Sequence, residues 1–291
     1  MSEAKSEVLT SDGFRKNVND FLTAAESLQK ETDEKRLKGA WEEFEEKCTH
    51  LLLEEMAEEK GASSGWISAM NHDITTPWAC FAVAVDEDET GKLNFPSLVP
   101  PLVRHYGRVV NSFARELLGE KEEKGFDLLE VAKDAAVYFN VQNEVSRKLG
   151  FEGREVDFSI KPEKTQLTQL LYYGSEDDFA RVFQNFFTNA WKAFKKREGP
   201  KKVEVTFGES EDHKRLLISV ADNGPGVKPK QREKIFESGV TFFENRENDQ
   251  TGKGIGLASV KAIVEEHQGS IWVEEAEGGG AKFIMSLPIE K

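Results

Sequence analysis

Three glycines at alternate positions, Gly252, Gly254 and Gly256, run straight into Leu257-Ala258-Ser259-Val260-Lys261-Ala262-Ile263-Val264. Alternating glycines let a backbone come close to an anion, and Leu257, Val260, Ile263 and Val264 have the spacing of one helix face. A helix N-terminus offers unpaired N–H groups and a positive dipole end, so a phosphate is its natural ligand. The stretch therefore demands a loop that opens a helix toward an anion. A plain surface loop can also carry such glycines, so the meaning of this one depends on the rest of the chain.

At 291 residues the chain has room for about two domains with real cores. A net charge of −14 argues against a nucleic-acid backbone or an anionic membrane as the main partner. No apolar run approaches the roughly 18 residues that span a bilayer, and Met1-Ser2-Glu3-Ala4-Lys5-Ser6-Glu7 lacks the apolar core of a signal peptide. Cys48 and Cys80 make neither a disulfide framework nor a metal cluster, and read as small buried residues of a reducing compartment. The expectation is a soluble, cytoplasmic protein.

Residues 1–65 carry 9 Lys and Arg against 16 Asp and Glu. Within them Phe14, Val18, Phe21, Ala25 and Leu28, then Leu37, Trp41, Phe44, Cys48 and Leu51, recur at spacings of three and four. Each set is an apolar seam on a polar helix. Glu31-Thr32-Asp33-Glu34 between them suggests a helical hairpin, serving either packing and dimerisation or docking of a regulatory partner. Gly61-Ala62-Ser63-Ser64-Gly65 then breaks the helix, as a linker or a joint.

A helix predicted over about 66–85 buries Ile67, Met70, Ile74, Trp78, Phe81 and Val85. At roughly 100° per residue, His72 points roughly 140° from that stripe and Thr76 roughly 180°. His72 is therefore water-facing, with Asp73 beside it and Thr76 one turn along. A carboxylate that holds one ring nitrogen protonated leaves the other free to attack. Pro77 should kink the helix just past this group. After a loop with Pro96, Pro100 and Pro101, a second helix over about 102–118 carries Leu102, Tyr106, Val109, Phe113 and Leu117 on one face. Such an αα-hairpin buries both seams poorly alone, and pairing two copies into a four-helix bundle would bury them well.

From Phe126 the pattern changes to α/β. Helices are predicted near 126–149, 176–197 and 254–267, and strands near 155–160, 202–208, 214–221, 270–275 and 281–287. Helices layered on a mixed sheet follow. On the helix at 176–197, Asn185 and Asn189 share a face with Lys192 one turn on; amide oxygens suit Mg²⁺ and a lysine reaches phosphate. Asp222-Asn223-Gly224-Pro225-Gly226 ends a strand in a tight turn, where a carboxylate can accept from an exocyclic amine such as adenine's. The polar segment from Phe236 to Thr251, marked by Phe242-Phe243, reads as a mobile lid or an ordinary loop.

In that order, Asn-x-x-x-Asn, Asp-x-Gly-x-Gly, a phenylalanine-marked loop and Gly-x-Gly-x-Gly resemble the nucleotide site of the histidine-kinase ATPase superfamily, known as GHKL. It also includes Hsp90-type chaperones, gyrase-type ATPases and mismatch-repair ATPases. His72-Asp73-Ile74-Thr75-Thr76-Pro77 resembles the phosphoacceptor box of two-component sensor histidine kinases. The resemblance spans about residues 60–288. It implies an α + α/β chain: N-terminal helices (1–60, input or dimerisation), a dimerisation and phosphotransfer hairpin (61–122), and an α/β sandwich that binds ATP (123–291).

Carried over by position, the resemblance makes His72 the acceptor of the γ-phosphoryl group of ATP and Asp73 its general base or orienting carboxylate. Thr76 matches the residue that orients water when the partner is dephosphorylated. Asn189, with Asn185, would hold Mg²⁺, and Lys192 would neutralise phosphate. Asp222 would read adenine in a pocket shaped by Gly224 and Gly226, while Gly252, Lys253, Gly254, Gly256 and Leu257 would face the phosphates beneath the lid. Thr75 stands where a basic residue is common, and Trp78 where leucine is usual. The implied partners are a response-regulator receiver domain, a second copy of the chain as a homodimer, and a separate sensor or regulatory protein at the N-terminal helices. The ATP domain is expected to swing against the hairpin to reach His72. A phosphorelay scaffold or phosphatase with little kinase activity is the rival reading. A protein-serine kinase of the same superfamily is a second rival, though it would not need the upstream His-Asp-x-x-Thr-Pro.

Overall fold

The computed structural model describes residues 11–30, 34–49, 53–63, 67, 70, 99–120, 122–148, 156–162, 170–194, 198–240 and 254–289. They fall into two compact units, residues 1–121 and 122–291.

The first unit is helical. Helices α1 (Ser11–Lys30), α2 (Glu34–Thr49), α3 (Leu53–Glu59) and α4 (Val99–Leu118) are described. The predicted seam of α1 is buried throughout, with Phe14, Phe21 and Leu28 fully covered. Helix α3 ends at Glu59, and Gly61, just beyond it, takes a φ of 73° that suits the glycine that follows a helix C-terminus. Ile67 and Met70 are helical, and Met70 is buried. His72, Asp73 and Thr76 lie outside the described residues, as do the remaining positions of that predicted stripe.

Helix α4 begins at Val99-Pro100-Pro101, where prolines are tolerated because the first N–H groups of a helix have no partner within it. Its whole predicted face, Leu102, Tyr106, Val109, Phe113 and Leu117, is buried. Helices α1 and α2 of the same chain lie against this face at Tyr106. Rings of Phe21 on α1 and Phe44 on α2 each lie 6.0 Å from Tyr106 and 5.3 Å from one another. Arg15 Nε donates to Glu120 Oε1 at 2.6 Å, so α1 runs antiparallel to α4, start against end.

The second unit is α/β. Its elements in order are β1 (Lys124–Asp127), α5 (Leu128–Lys148), β2 (Val156–Pro162), β3 (Leu171–Gly174), α6 (Glu176–Ala193), β4 (Lys201–Glu209), β5 (Arg215–Asp222), α7 (Gly256–Glu266), β6 (Ser270–Glu275) and β7 (Ala281–Pro288). The main sheet has the order β2-β4-β5-β7-β6, with β2 and β4 parallel and the other pairs antiparallel. Side chains alternate across a strand, so Leu216, Ile218, Val220 and Asp222 share one face of β5. Ile218 pairs with Phe207 on β4, and Phe207 meets Phe183 of α6 at 6.3 Å. That face is the one covered by helices: Phe139 of α5 touches Phe158 of β2 and Phe187 of α6, and Phe186 of α6 touches Phe283 of β7.

The β1–β3 ladder was not visible in the sequence pattern. Phe126, predicted to start a helix, pairs instead with Tyr172 in a short antiparallel sheet. Asp127 makes the transition: its Oδ1 accepts from Leu129 N at the start of α5 and from Leu170 N at the start of β3, both at 3.0 Å. Helix α6 is opened by Ser175, whose Oγ accepts from Asp178 N, with Glu176, Asp177 and Asp178 at the positive end of the dipole. The predicted hairpin turn at 208–212 joins β4 to β5. There the Ser210 hydroxyl and the Lys214 N–H hold the Asp212 carboxyl below the usual carboxylate range.

Candidate nucleotide site

Helix α6 is the ruler of the site. Asn185, Asn189, Lys192 and Ala193 fall on one face, at spacings of four, seven and eight from the first. At the near end, the place of a Cβ on Gly256 is taken by Asn185 Oδ1. Gly256 is the first residue of α7, so the asparagine oxygen sits at the N-terminus of the helix that the glycine loop opens. Asn185 Nδ2 donates to Arg181 O at 2.9 Å, which fixes the amide orientation.

At the far end of α6, a Cβ on Gly224 would stand 3.4 Å from Ala193 Cβ and 2.8 Å from Asp222 Oδ1. The turn after β5 therefore abuts the last turn of α6. Eight residues of helix, about 12 Å at 1.5 Å per residue, separate the glycine-loop end from the Asp222 end. Asn189 lies between them.

Asp222 is buried on the helix-facing side of the sheet, at 8% exposure. Its Oδ1 accepts from Gly224 N at 2.7 Å and from Ala281 N at 3.3 Å. Asn223, one residue on, points the other way and ties the turn to the start of β4. Its Oδ1 accepts from Lys202 N at 2.8 Å, and its Nδ2 donates to Pro200 O at 3.0 Å. Gly226 takes φ 72°, and a Cβ there would stand 2.9 Å from Gly280 O. Gly280 takes φ 100° and leaves no room for a Cβ against Asp222 O. Gly280, Ala281 and Asn223 are site-shaping residues that the motif reading missed; the run Gly278-Gly279-Gly280 between two strands was the available signal.

Asn189 Nδ2 is buried and has no hydrogen-bond partner among the described residues. A buried donor left unpaired costs about 1–3 kcal/mol, so such a group invites an acceptor from a ligand. Gly239 N donates to Gly254 O at 3.1 Å, so the segment predicted as a lid leaves and returns at one point beside the start of α7. Gly254 has φ 70° and packs against the Val240 backbone. Gly252, Lys253 and the Phe242-Phe243 pair lie outside the described residues. Leu257 is the second residue of α7 and partly exposed, and Lys192 is partly exposed in the last turn of α6. Gly256 thus meets Asn185 at one end of that face of α6, and Gly224, beside Asp222, meets Ala193 at the other, with Asn189 and Lys192 on the face between; Gly226 lies against Gly280 and Gly254 against Val240.

Residues 174–291 match the family described as histidine kinase-, DNA gyrase B-, and HSP90-like ATPase. The C-terminal unit contains an ATPase domain of this family. The α + α/β class, with helices and a mixed sheet in a GHKL-type domain, is the architecture the motifs imply. Beyond the ATPase domain, the chain is 27% identical over 235 residues to the sensor protein kinase WalK of Staphylococcus saprophyticus, covering 77% of this chain and 36% of that protein. The match to WalK of Staphylococcus aureus is 27% identical over 236 residues, 77% of this chain and 53% of that protein. These matches are longer than the C-terminal unit and so extend into the helical one. Over about three quarters of its length the chain is similar to these sensor protein kinases, and it spans little more than a third of the length of the first of them. Among solved structures it resembles the catalytic domain of the histidine kinase ThkA, at 27% identity and a TM-score of 0.45, over 57% of this chain and 97% of that one. It also resembles the mycobacterial sensor histidine kinase MprB, at 22% identity and a TM-score of 0.43, over the same shares.

Proposed function

We propose that the protein is an ATP-dependent protein-histidine kinase that phosphorylates its own His72 and passes the phosphoryl group to an aspartate of a response-regulator receiver domain. The observation that carries this reading is the alignment of three motifs along one face of α6. Gly256 lies against Asn185, Asn189 has an unpaired buried amide, and Gly224 lies against Ala193 beside the buried Asp222. That order suits a nucleotide laid from base to phosphates. Asp222 would take the adenine amino group, and the N–H groups opening α7 would face the phosphates with Lys192.

Asn189 and Asn185 would carry Mg²⁺, whose hard oxygen-seeking chemistry fits amide oxygens completed by phosphate and water; when bound it neutralises charge on the phosphates. In the transfer, an unprotonated ring nitrogen of His72 forms a bond to the γ-phosphorus as the bond to the ADP oxygen breaks. Asp73 holds the proton on the other ring nitrogen. Positioning and charge neutralisation supply most of the acceleration. Thr76, one turn from His72, would orient a water against the phosphorylated receiver, which adds a phosphatase activity. A cytoplasmic location belongs to the same proposal; no described helix is long and apolar enough to cross a membrane. The homodimer expected from the hairpin depends on what covers α4.

Incubation with γ-labelled ATP tests the reading. An acid-labile, base-stable label is expected on the wild-type chain. His72→Gln should lose it with nucleotide binding intact, and Asn189→Ala should lose both. An acid-labile label that survives in His72→Gln overturns the assignment.

A further inference from the structure

Strand β5 leaves its ladder through a side chain. The register that ends at Val203 and Asp222 sets Lys202 opposite Asn223. An antiparallel pair that is bonded at such a point exchanges two main-chain N–H groups for two main-chain carbonyls. Asn223 keeps half of that exchange, donating its own N–H to Lys202 O at 3.2 Å. Its side chain takes over the other half: Oδ1 accepts from Lys202 N at 2.8 Å. The main chain is thereby released from β4 one residue after Asp222 and turns toward α6, where Gly224 faces Ala193 and Phe194. Asn223 Nδ2 donates to Pro200 O at 3.0 Å, so the same amide also holds the turn to the connection before β4. Gly224 N, a donor to Asp222 Oδ1, belongs to the turn that this amide anchors. A hydrogen bond weakens steeply as its angle closes, so where the turn sits decides how well the Asp222 carboxylate meets a ligand.

We propose that Asn223 is a positioning residue for base recognition. By completing the β4–β5 ladder with its side chain, it fixes the direction in which Asp222 presents its carboxylate to the amino group of a 6-aminopurine nucleotide. The proposal rests on the reading that Asp222 takes that amino group, and adds that recognition fails when Asp222 is kept and its neighbour alone is changed.

Two nucleotides separate aiming from folding. Mg·ATP carries the amino group, and the magnesium complex of purine riboside triphosphate is the same ligand without it. Calorimetry on the full chain should show the wild type favouring ATP by about tenfold or more, because a site built to bond an N–H rejects the analogue that lacks it. Asn223→Ala should weaken ATP by about tenfold and leave the analogue within about twofold, so that the preference disappears. Asn223→Asp keeps the bond to Lys202 N and loses the one to Pro200 O. An intermediate preference is expected of it, and it carries the comparison if Asn223→Ala does not fold. A loss shared equally by both nucleotides, or a preference that survives in the variants, overturns the positioning role and leaves the Asp222 reading standing. A wild-type chain that binds the two nucleotides alike sinks the Asp222 reading itself, and the role of Asn223 with it.

Discussion

At the scale of single residues, the site carries features that folding alone does not explain. Asn189 buries an amide donor without a partner among the described residues, so Asn189→Leu is expected to leave the nucleotide-free protein as stable as before, or raise it by about 1 kcal/mol. ATP binding should be lost in the same variant. Thermal unfolding with and without Mg·ATP checks both, and a large destabilisation of the nucleotide-free form would contradict it. Gly256→Ala places a methyl on Asn185 Oδ1. The loop start and the asparagine must then separate, and affinity for a fluorescent ATP analogue should fall at least tenfold, about 1.4 kcal/mol. Gly280 sits at φ 100° against Asp222 O, so Gly280→Ala adds backbone strain of about 1–3 kcal/mol. Faster hydrogen exchange at Gly224 and Ala281, which donate to Asp222 Oδ1, would report it.

At the scale of elements, α1 and α4 depend on each other. Phe21 is fully buried between Phe44 and Tyr106, and Phe21→Ala should cost about 3–5 kcal/mol in the helical unit. Hydrogen exchange along α4 is the appropriate measure, because the loss belongs to one unit; unchanged α4 protection would show that α1 is not its cover. The elements themselves were largely legible. Seams at three-four spacing marked α1 and the buried face of α4, and alternation marked β4 and β5. The β1–β3 pair was not, since four-residue strands separated by about forty residues carry too little pattern and pair through a non-local ladder. Helix α6 was predicted to run to 197 and ends at Ala193, where the turn of Asp222 and Gly224 packs against it.

At the scale of the whole molecule, two units with separate cores imply two separable unfolding events. Residues 122–291 expressed alone are expected to fold and to bind Mg·ATP with the affinity of the full chain, measured by calorimetry. A fragment that folds but binds more than about tenfold more weakly, some 1.4 kcal/mol, would show that the helical unit contributes to the nucleotide site.

The sequence by itself determined the order of helices and strands, the faces they bury, and which polar residues and glycines stand at motif spacing. Those properties are local, since periodicity states that a face is covered and glycine states that a backbone is free. Only the tertiary structure decided what does the covering. It put α1 and α2 on the seam of α4, Asn185 where a Cβ of Gly256 would be, and Gly280 against Asp222 across 58 positions. Apolar burial has no direction and accepts any complementary face, so the identity of a neighbour distant along the chain is settled by packing and cannot be read from spacing.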